Sequence, residues 1–152
     1  MPTHYSGTPQ ETLALNTFIK LTRSVDTVTS RLSQRGTQGD LTESQFGVLE
    51  TLYHLGSMCQ NQLAAKILRS SGNLTMVIDN LEKYGLVRRV RDLEDRRKIQ
   101  VELTEEGRRL IGEIFPKQVS AITEEMSILT PQEQETLGSL CRKLGQGKAA
   151  PA

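Results

Sequence analysis

Residues 62–103 read QLAAKILRSSGNLTMVIDNLEKYGLVRRVRDLEDRRKIQVEL, and a change of period within this stretch decides the fold. From Gln62 to Leu68 and again from Leu74 to Leu81, apolar residues recur at helical spacing. Ser70-Ser71-Gly72 forms a short break that can also cap the second helix. From Ile99 to Leu103, apolar and polar residues alternate strictly, as in a half-buried strand. Two short helices followed by strands predict a winged helix-turn-helix.

The predicted wing is a hairpin with a charged tip. Leu86 to Val90 reads as its first strand, and Asp92 to Arg97 is the polar connection to the second. The window from Lys83 to Lys98 holds seven basic and three acidic residues, whereas the whole chain has a net charge of only +1. A local basic block of this kind is the electrostatic footprint of a phosphate-binding surface, although a solvated loop can have the same composition.

Amphipathic helices are predicted on both sides of this core. Apolar residues from Phe18 to Leu32 form a heptad-like stripe, and Thr42-Glu43-Ser44-Gln45 reads as the capping box of a second helix. After the hairpin, helical stripes run from Ile111 to Met126 and from Leu137 to Leu144. The predicted fold class is mainly α with a small β-hairpin wing, in the order α-α-α-α-β-β-α-α. A small core cannot use all of these stripes, and surplus stripes usually form an interface.

These patterns divide the chain into expected parts. Residues 1–152 are expected to form a single chain unit, with residues 40–103 as the winged helix-turn-helix DNA-binding core. Residues 10–36 and 104–146 are expected to be dimerisation helices, and residues 145–152 a frayed tail.

Composition argues against several other classes of protein. The chain has two cysteines and two histidines, without the spacing of a metal site, so neither a metal nor a cofactor is expected. No phosphate loop, nucleophile motif or plausible triad is present, and the protein is expected not to be an enzyme. No run approaches the ~18 apolar residues of a membrane span. Residues 1–10 do not resemble a signal peptide, so a cytoplasmic location is expected.

The second helix of a helix-turn-helix enters the major groove with its N-terminal residues toward the base edges. Hydroxyl and amide side chains can read bases there, and a methionine can contact a thymine methyl. The alternative is that these side chains only cap and solvate the helix. The candidate residues are Ser70, Ser71, Asn73, Thr75, Met76 and Asn80.

An arginine at the hairpin tip can enter the narrow minor groove, whose negative potential attracts a guanidinium group. A nearby carboxylate can hold such an arginine extended. The alternative is an ordinary surface ion pair, which is common and weak.

Three motifs resemble those of the MarR family: LEKYGLV at 81–87, DLEDRR at 92–97 and VELTEEG at 101–107. The resemblance extends over roughly Phe18 to Leu144. It implies an obligate dimer formed by the terminal helices and binding to a palindromic operator, usually as a repressor. It also places Asp95 and Arg97 in the minor-groove motif of the wing, with Arg96 as a phosphate contact. Family wings often have proline in place of Leu93, and many members have arginine in place of Met76.

The resemblance also predicts a small-molecule effector. The segment GNLT at 72–75 resembles a subgroup linked to phenolic or quinone-type compounds. A crevice between the dimerisation helices and the DNA-binding core is the expected pocket, although the same residues can simply be core. The candidate lining residues are Phe18, Val25, Phe46, Tyr53 and His54.

Two further hypotheses remain open. Cys59 lies just before Gln60, where the N-terminus of the third helix can lower a thiol pKa, so it is a candidate redox switch. The alternative is a small buried residue, since free cysteine is often part of a core. The chain can also be a dimeric interaction protein without DNA binding, although the basic wing argues against this.

Overall fold

The computed structural model describes residues 2–67 and 71–147, with the backbone alone at 71 and 72. This part of the chain is mainly helical and contains a small antiparallel sheet, which confirms the predicted fold class. The elements are α1 (Pro9–Gln34), α2 (Glu43–Leu55), β1 (Met58–Cys59), α3 (Gln60–Ile67), α4 (Ser71–Lys83), β2 (Val87–Arg91), β3 (Ile99–Leu103), α5 (Glu105–Met126) and α6 (Pro131–Gln146). None of these helices is long and apolar enough to cross a membrane.

The sheet has one strand more than the sequence predicted. Its order is β1-β3-β2, and both pairings are antiparallel. The added strand β1 has only two residues, with Met58 opposite Val101 and Cys59 opposite Gln100. The β2–β3 hairpin is the predicted wing, and β1 fastens its second strand to the segment between α2 and α3.

One compact unit comprises residues 36–119. Helix α2 begins at the predicted capping box, because the Thr42 hydroxyl accepts from the Gln45 N–H at 3.1 Å and the Gln45 side chain accepts from the Thr42 N–H at 2.9 Å. The core of this compact unit is built from one apolar face of each helix and the inner face of the sheet. The fully buried side chains of that core include Val48, Leu49, Leu63, Leu74, Ile78, Leu81, Val87, Val101 and Ile111.

The junction between the wing and α5 is unusually close. The Thr104 N–H donates to the carbonyl oxygen of Leu86 at 3.1 Å, and the Thr104 hydroxyl donates to that of Gly85 at 2.6 Å. The same hydroxyl oxygen accepts from the Gly107 N–H at 3.0 Å and so caps α5. Gly85 has φ +75°, a left-handed conformation that glycine adopts without strain. The glycines and the threonine of the LEKYGLV and VELTEEG motifs therefore hold this junction.

The second compact unit comprises, of the described residues, 2–35 and 120–147. No residue of α1 or α6 is buried in the single chain. Within this unit Arg35 binds Glu124 and Glu125, each at 2.8 Å, and Arg31 binds Glu125 at 2.8 Å. The two arginine partners hold the pKa of the Glu125 carboxyl below its ordinary value.

The two units differ in their limits from the parts expected from the sequence. Residues 105–119 of α5 belong to the same compact unit as the winged helix-turn-helix, because Ile111 and Ile114 lie in its hydrophobic core. Helix α6 continues through Gln146 and ends in the left-handed cap Gly147, so the first residues of the predicted tail are helical, and residues 148–152 lie outside the described residues.

Candidate nucleic-acid interface

Helix α4 has one buried and one exposed face. Leu74, Ile78 and Leu81 are buried in the core. The exposed side chains that can face a ligand are those of the predicted residues Asn73, Thr75, Met76 and Asn80. Met76 is 67% exposed, so its side chain is accessible on this face.

The start of this helix is held by α3. The Gln60 side chain donates to the Thr75 hydroxyl at 2.6 Å, so a residue that the sequence analysis overlooked orients one of the candidate base contacts. Two of the predicted DNA contacts lie at or beyond the limit of the described residues. Ser70 lies outside the described residues, and Ser71 is described only as the first residue of the helix backbone.

The loop at the wing tip is organised by Asp92. Its Oδ1 accepts from the Glu94 N–H at 2.8 Å and from the Asp95 N–H at 3.4 Å, and its Oδ2 accepts from the Gln100 side chain at 3.2 Å. These hydrogen bonds, first among them the one from Glu94, hold the pKa of the Asp92 carboxyl below its ordinary value. The loop is therefore a formed structure in the free chain.

Asp95 orients Arg97 within this loop. Asp95 Oδ1 accepts from the Arg97 backbone N–H at 3.1 Å and from Arg97 Nε at 3.3 Å. The Arg97 side chain is nevertheless 91% exposed. An arginine held by its Nε keeps both terminal nitrogens available for an outside acceptor. The neighbouring Arg96 is also exposed.

The basic residues of the wing divide into two groups. Arg88 binds Glu102 across the sheet at 2.5 Å, and Arg89 is bound by acidic residues of α4. Among the residues that the structure describes, Arg91, Arg96 and Lys98 form no ion pair, although the charge of Lys98 acts on Asp92. The basic side chains without an ion pair therefore lie near the tip of the hairpin rather than along its whole length.

Of the predicted pocket residues, three lie in the same unit as α4 and the wing. Phe46 is buried and stacks on Phe115 with ring centroids 6.2 Å apart, so it belongs to the core. Tyr53 and His54 are exposed at the end of α2, and the His54 ring packs edge-on against Phe115 at 4.6 Å. The Arg108 guanidinium lies 6.0 Å from the centre of the Tyr53 ring. This cationic group was not predicted from the sequence.

The other candidate residues lie elsewhere. Phe18 and Val25 belong to the second unit, where they are 62% and 53% exposed. The redox candidate Cys59 is half-buried in β1, and its backbone N–H donates to the Gln62 side chain at 3.1 Å. Within the described ranges, no group of three histidine, cysteine or acidic side chains is placed to hold a metal ion.

Comparisons with known proteins give a consistent family. The MarR family profile matches residues 41–99. The HTH-type transcriptional regulator MhqR of Bacillus subtilis (strain 168) is 33% identical over 132 residues, which cover 87% of this chain and 91% of that protein. The structure of BpsR from Bordetella bronchiseptica, described in terms of the regulation of its DNA binding by 6-hydroxynicotinic acid, is 26% identical, with a TM-score of 0.78 and coverage of 95% and 98%. AbsC, a MarR family transcriptional regulator from Streptomyces coelicolor, shares the fold, with 23% identity, a TM-score of 0.80 and coverage of 94% and 97%.

Proposed function

This chain belongs to the MarR family of DNA-binding transcriptional regulators, and we propose that it is a homodimeric repressor whose palindromic operator is released when a small ligand binds. The observation that carries the proposal is the presence, in one compact unit, of an exposed helix face and an exposed, carboxylate-braced arginine. The helix face is that of α4, and the arginine is Arg97 at the wing tip.

The two surfaces can read DNA in different ways. The α4 face offers amide, hydroxyl and methionine groups for the major groove. Arg97 offers a guanidinium that Asp95 Oδ1 contacts at Nε in the free chain, at 3.3 Å. Pre-organisation reduces the conformational entropy lost on binding, which favours a specific contact over a loose phosphate contact.

A binding titration tests this assignment. Wild-type protein first selects its preferred duplex from a random pool, and the affinity for that duplex is then measured over a range of salt concentrations. Arg97→Lys keeps the charge but loses the planar fork, so insertion into the minor groove predicts a loss of roughly 1–3 kcal/mol. If only charge matters, Arg97→Lys is nearly silent, and Arg97→Ala reduces the salt slope by about 1.

Asp95→Ala completes the set, because it leaves Arg97 in place and removes its brace. We expect it to reproduce part of the Arg97→Lys loss. Circular dichroism is the folding control, and an exposed tip predicts little change in stability for any of these variants. Wild-type affinity in Arg97→Ala would refute the wing assignment. Failure of the wild type to select any duplex would instead favour an interaction protein without DNA binding.

Homodimerisation is supported by the exposed apolar side chains of the second unit. A monomer rarely exposes this much apolar surface without a partner. The residues concerned, all at least 41% exposed, are Leu13, Phe18, Val25, Ile122, Leu137, Leu140 and Leu144. Sedimentation of the native chain tests this, and a stable monomer at micromolar concentration would contradict it.

The proposed ligand is a small planar compound of the phenolic or quinone type. Support comes from the Tyr53, His54 and Phe115 rings beside the Arg108 guanidinium, since aromatic faces can stack on a planar ring and a guanidinium can donate to its oxygen atoms. The DNA binding of the related BpsR is regulated by 6-hydroxynicotinic acid, which is likewise a small planar ring compound with a hydroxyl group.

Tyr53→Ala and Arg108→Gln test the ligand proposal. Both variants should bind the operator normally but need much more ligand for release. A ligand can release DNA only if it binds the two conformations with different affinity. A compound that binds tightly without altering operator affinity would therefore count against this mechanism.

A further inference from the structure

An ion-pair cluster joins the base-reading helix to the root of the wing. Arg89 of β2 places one terminal nitrogen 2.7 Å from Asp79 Oδ1 and the other 3.0 Å from Glu82 Oε1, both on α4. The first of these nitrogens also lies 3.5 Å from the carbonyl oxygen of Thr75. In addition, the Arg89 backbone N–H donates to Glu82 Oε2 at 3.1 Å. The Arg89 side chain is only 22% exposed.

We propose that Arg89 is a positioning residue that fixes the angle between α4 and the wing, so that both reach one DNA half-site together. The proposal rests on the proposed function, because it concerns how the two DNA-reading surfaces are coupled. Among the described residues, the partners of the guanidinium are all on α4, whereas Arg89 itself is held in the sheet opposite Val101. The side chain thus bridges the two elements that must act on the same DNA.

The lever arm of the wing makes this angle important. Two strand residues, Val90 and Arg91, separate Arg89 from the tip loop that begins at Asp92, so the distance along the strand is roughly 10 Å at the usual rise per residue. A change of about 10° at the root would therefore move the start of the tip loop by roughly 2 Å, which is more than the distance tolerance of a hydrogen bond. The tip arginine would then miss the groove that the helix has selected.

The net charge of the ion-pair cluster distinguishes a positioning role for Arg89 from a phosphate contact. Two carboxylates surround the Arg89 guanidinium, so the cluster as a whole is negative and does not attract DNA. Asp79 and Glu82 are 58% and 43% exposed, and ion pairs at this level of exposure contribute little to folding. Removing Arg89 should consequently change recognition more than stability.

The test compares Arg89→Met with Arg88→Met in the full-length protein. Arg88 is the matched control, because its ion pair with Glu102 lies within the sheet and does not reach α4. The measurements are affinity for the selected duplex and for unrelated DNA over salt concentration, and hydroxyl-radical footprints of the minor groove. We expect Arg89→Met to lose about tenfold or more in operator affinity, with weaker protection where the wing lies. Loss of one positive charge should weaken binding to all DNA slightly in both variants, so the discriminating result is the ratio of operator to unrelated affinity. Arg89→Met should lower this ratio with an unchanged salt slope, and Arg88→Met, which removes the same charge, should keep the wild-type ratio.

A double variant tests the same contacts from the helix side and decides the matter if Arg89→Met does not fold. Asp79→Asn with Glu82→Gln removes two negative charges, so electrostatics alone predicts tighter binding to all DNA. Loss of positioning predicts instead a lower ratio of operator to unrelated affinity and weaker protection by the wing. An unchanged ratio in this double variant would overturn the proposal.

An equal loss on operator and unrelated DNA in Arg89→Met, with a salt slope reduced by about 1, would also overturn it and assign Arg89 as a phosphate contact. Failure of the wild-type protein to select any duplex is a different result, because it rejects the proposed function before the variants are compared.

Discussion

Replacing Gly107 by alanine should break the junction between the wing and α5. A Cβ at this position would lie 2.0 Å from the carbonyl oxygen of Leu86 and 2.9 Å from its carbonyl carbon. Both are backbone atoms, so no side-chain rotation can relieve the contact. The third neighbour, Leu103 Cδ2 at 3.2 Å, blocks a shift towards the sheet.

The size of the effect follows from these distances. Uncharged heavy atoms pack at about 3.5 Å, so the start of α5 and the end of the Leu86 peptide must separate by more than 1 Å. That separation breaks the Thr104–Leu86 and Thr104–Gly85 hydrogen bonds, each of which contributes about 1 kcal/mol. Overpacking adds about 1–3 kcal/mol. We expect a total loss of roughly 3–5 kcal/mol in the free energy of unfolding, or roughly 6–20 °C in Tm for a chain of 152 residues.

Chemical and thermal unfolding measure this loss, with Gly112→Ala as the control in the same helix. A Cβ at Gly112 meets its nearest neighbour, Tyr53 Oη, at 3.5 Å, which is ordinary contact. The control should be unchanged or stabilised by about 1 kcal/mol, because alanine favours the helix. A Gly107→Ala protein within about 1 kcal/mol of the wild type would refute the close-approach reasoning.

Three further results are expected. Leu140→Glu should weaken dimerisation and folding together in sedimentation and thermal melts, whereas the control Ser139→Glu on the next position of α6 should not. Hydrogen bonds lower the pKa of the Asp92 carboxyl in the folded chain, so the carboxylate stabilises the loop at pH values above the ordinary pKa of aspartate. This contribution is lost as the pH falls through the lower folded pKa. Asp92→Asn should therefore make acid unfolding less steep. Cys59→Ser should abolish any peroxide sensitivity of DNA binding if the thiol is a switch, and unchanged sensitivity would remove Cys59 from that role.

The local elements were predictable because their signals are local. Capping residues, helical periodicity and strict alternation set the limits of α2, α4 and the wing within a few residues. Strand β1 was missed because two residues carry no period, and Met58 and Cys59 become a strand only through their pairing with β3. The order of the strands could not be read from the chain for the same reason.

Most side-chain contacts between elements could not be predicted from the sequence. The acidic pair on α4 lies seven to ten residues before Arg89, and only the turn at Gly85 brings these side chains together. The count of basic residues in the sequence included Arg89 with the rest of the wing as part of a candidate phosphate-binding surface. In the structure the charge of Arg89 is paired with carboxylates of α4 instead, so the count of basic residues overestimated the positive charge that can attract DNA.

Helix α5 shows a related limit of periodicity. Its apolar stripe is continuous in the sequence, but Ile111 is fully buried in the winged helix-turn-helix unit whereas Ile122 is 41% exposed. A stripe predicts that a face is covered, and it does not say which neighbour covers it. The division of α5 at residues 119 and 120 was therefore beyond the reach of sequence reasoning.

The distribution of charge bears on how such a protein would discriminate among DNA sequences. Non-specific affinity grows with the number of phosphates that basic side chains neutralise. Here Arg88 and Arg89 are paired with carboxylates within the fold, whereas Arg91, Arg96 and Lys98, which form no ion pair with the described residues, lie near the hairpin tip. A chain with a net charge of only +1 thus limits its attraction to DNA in general. Under the proposed function, binding would then depend mainly on the fit of α4 and the wing to one site, and the geometry between them, rather than total charge, would determine specificity.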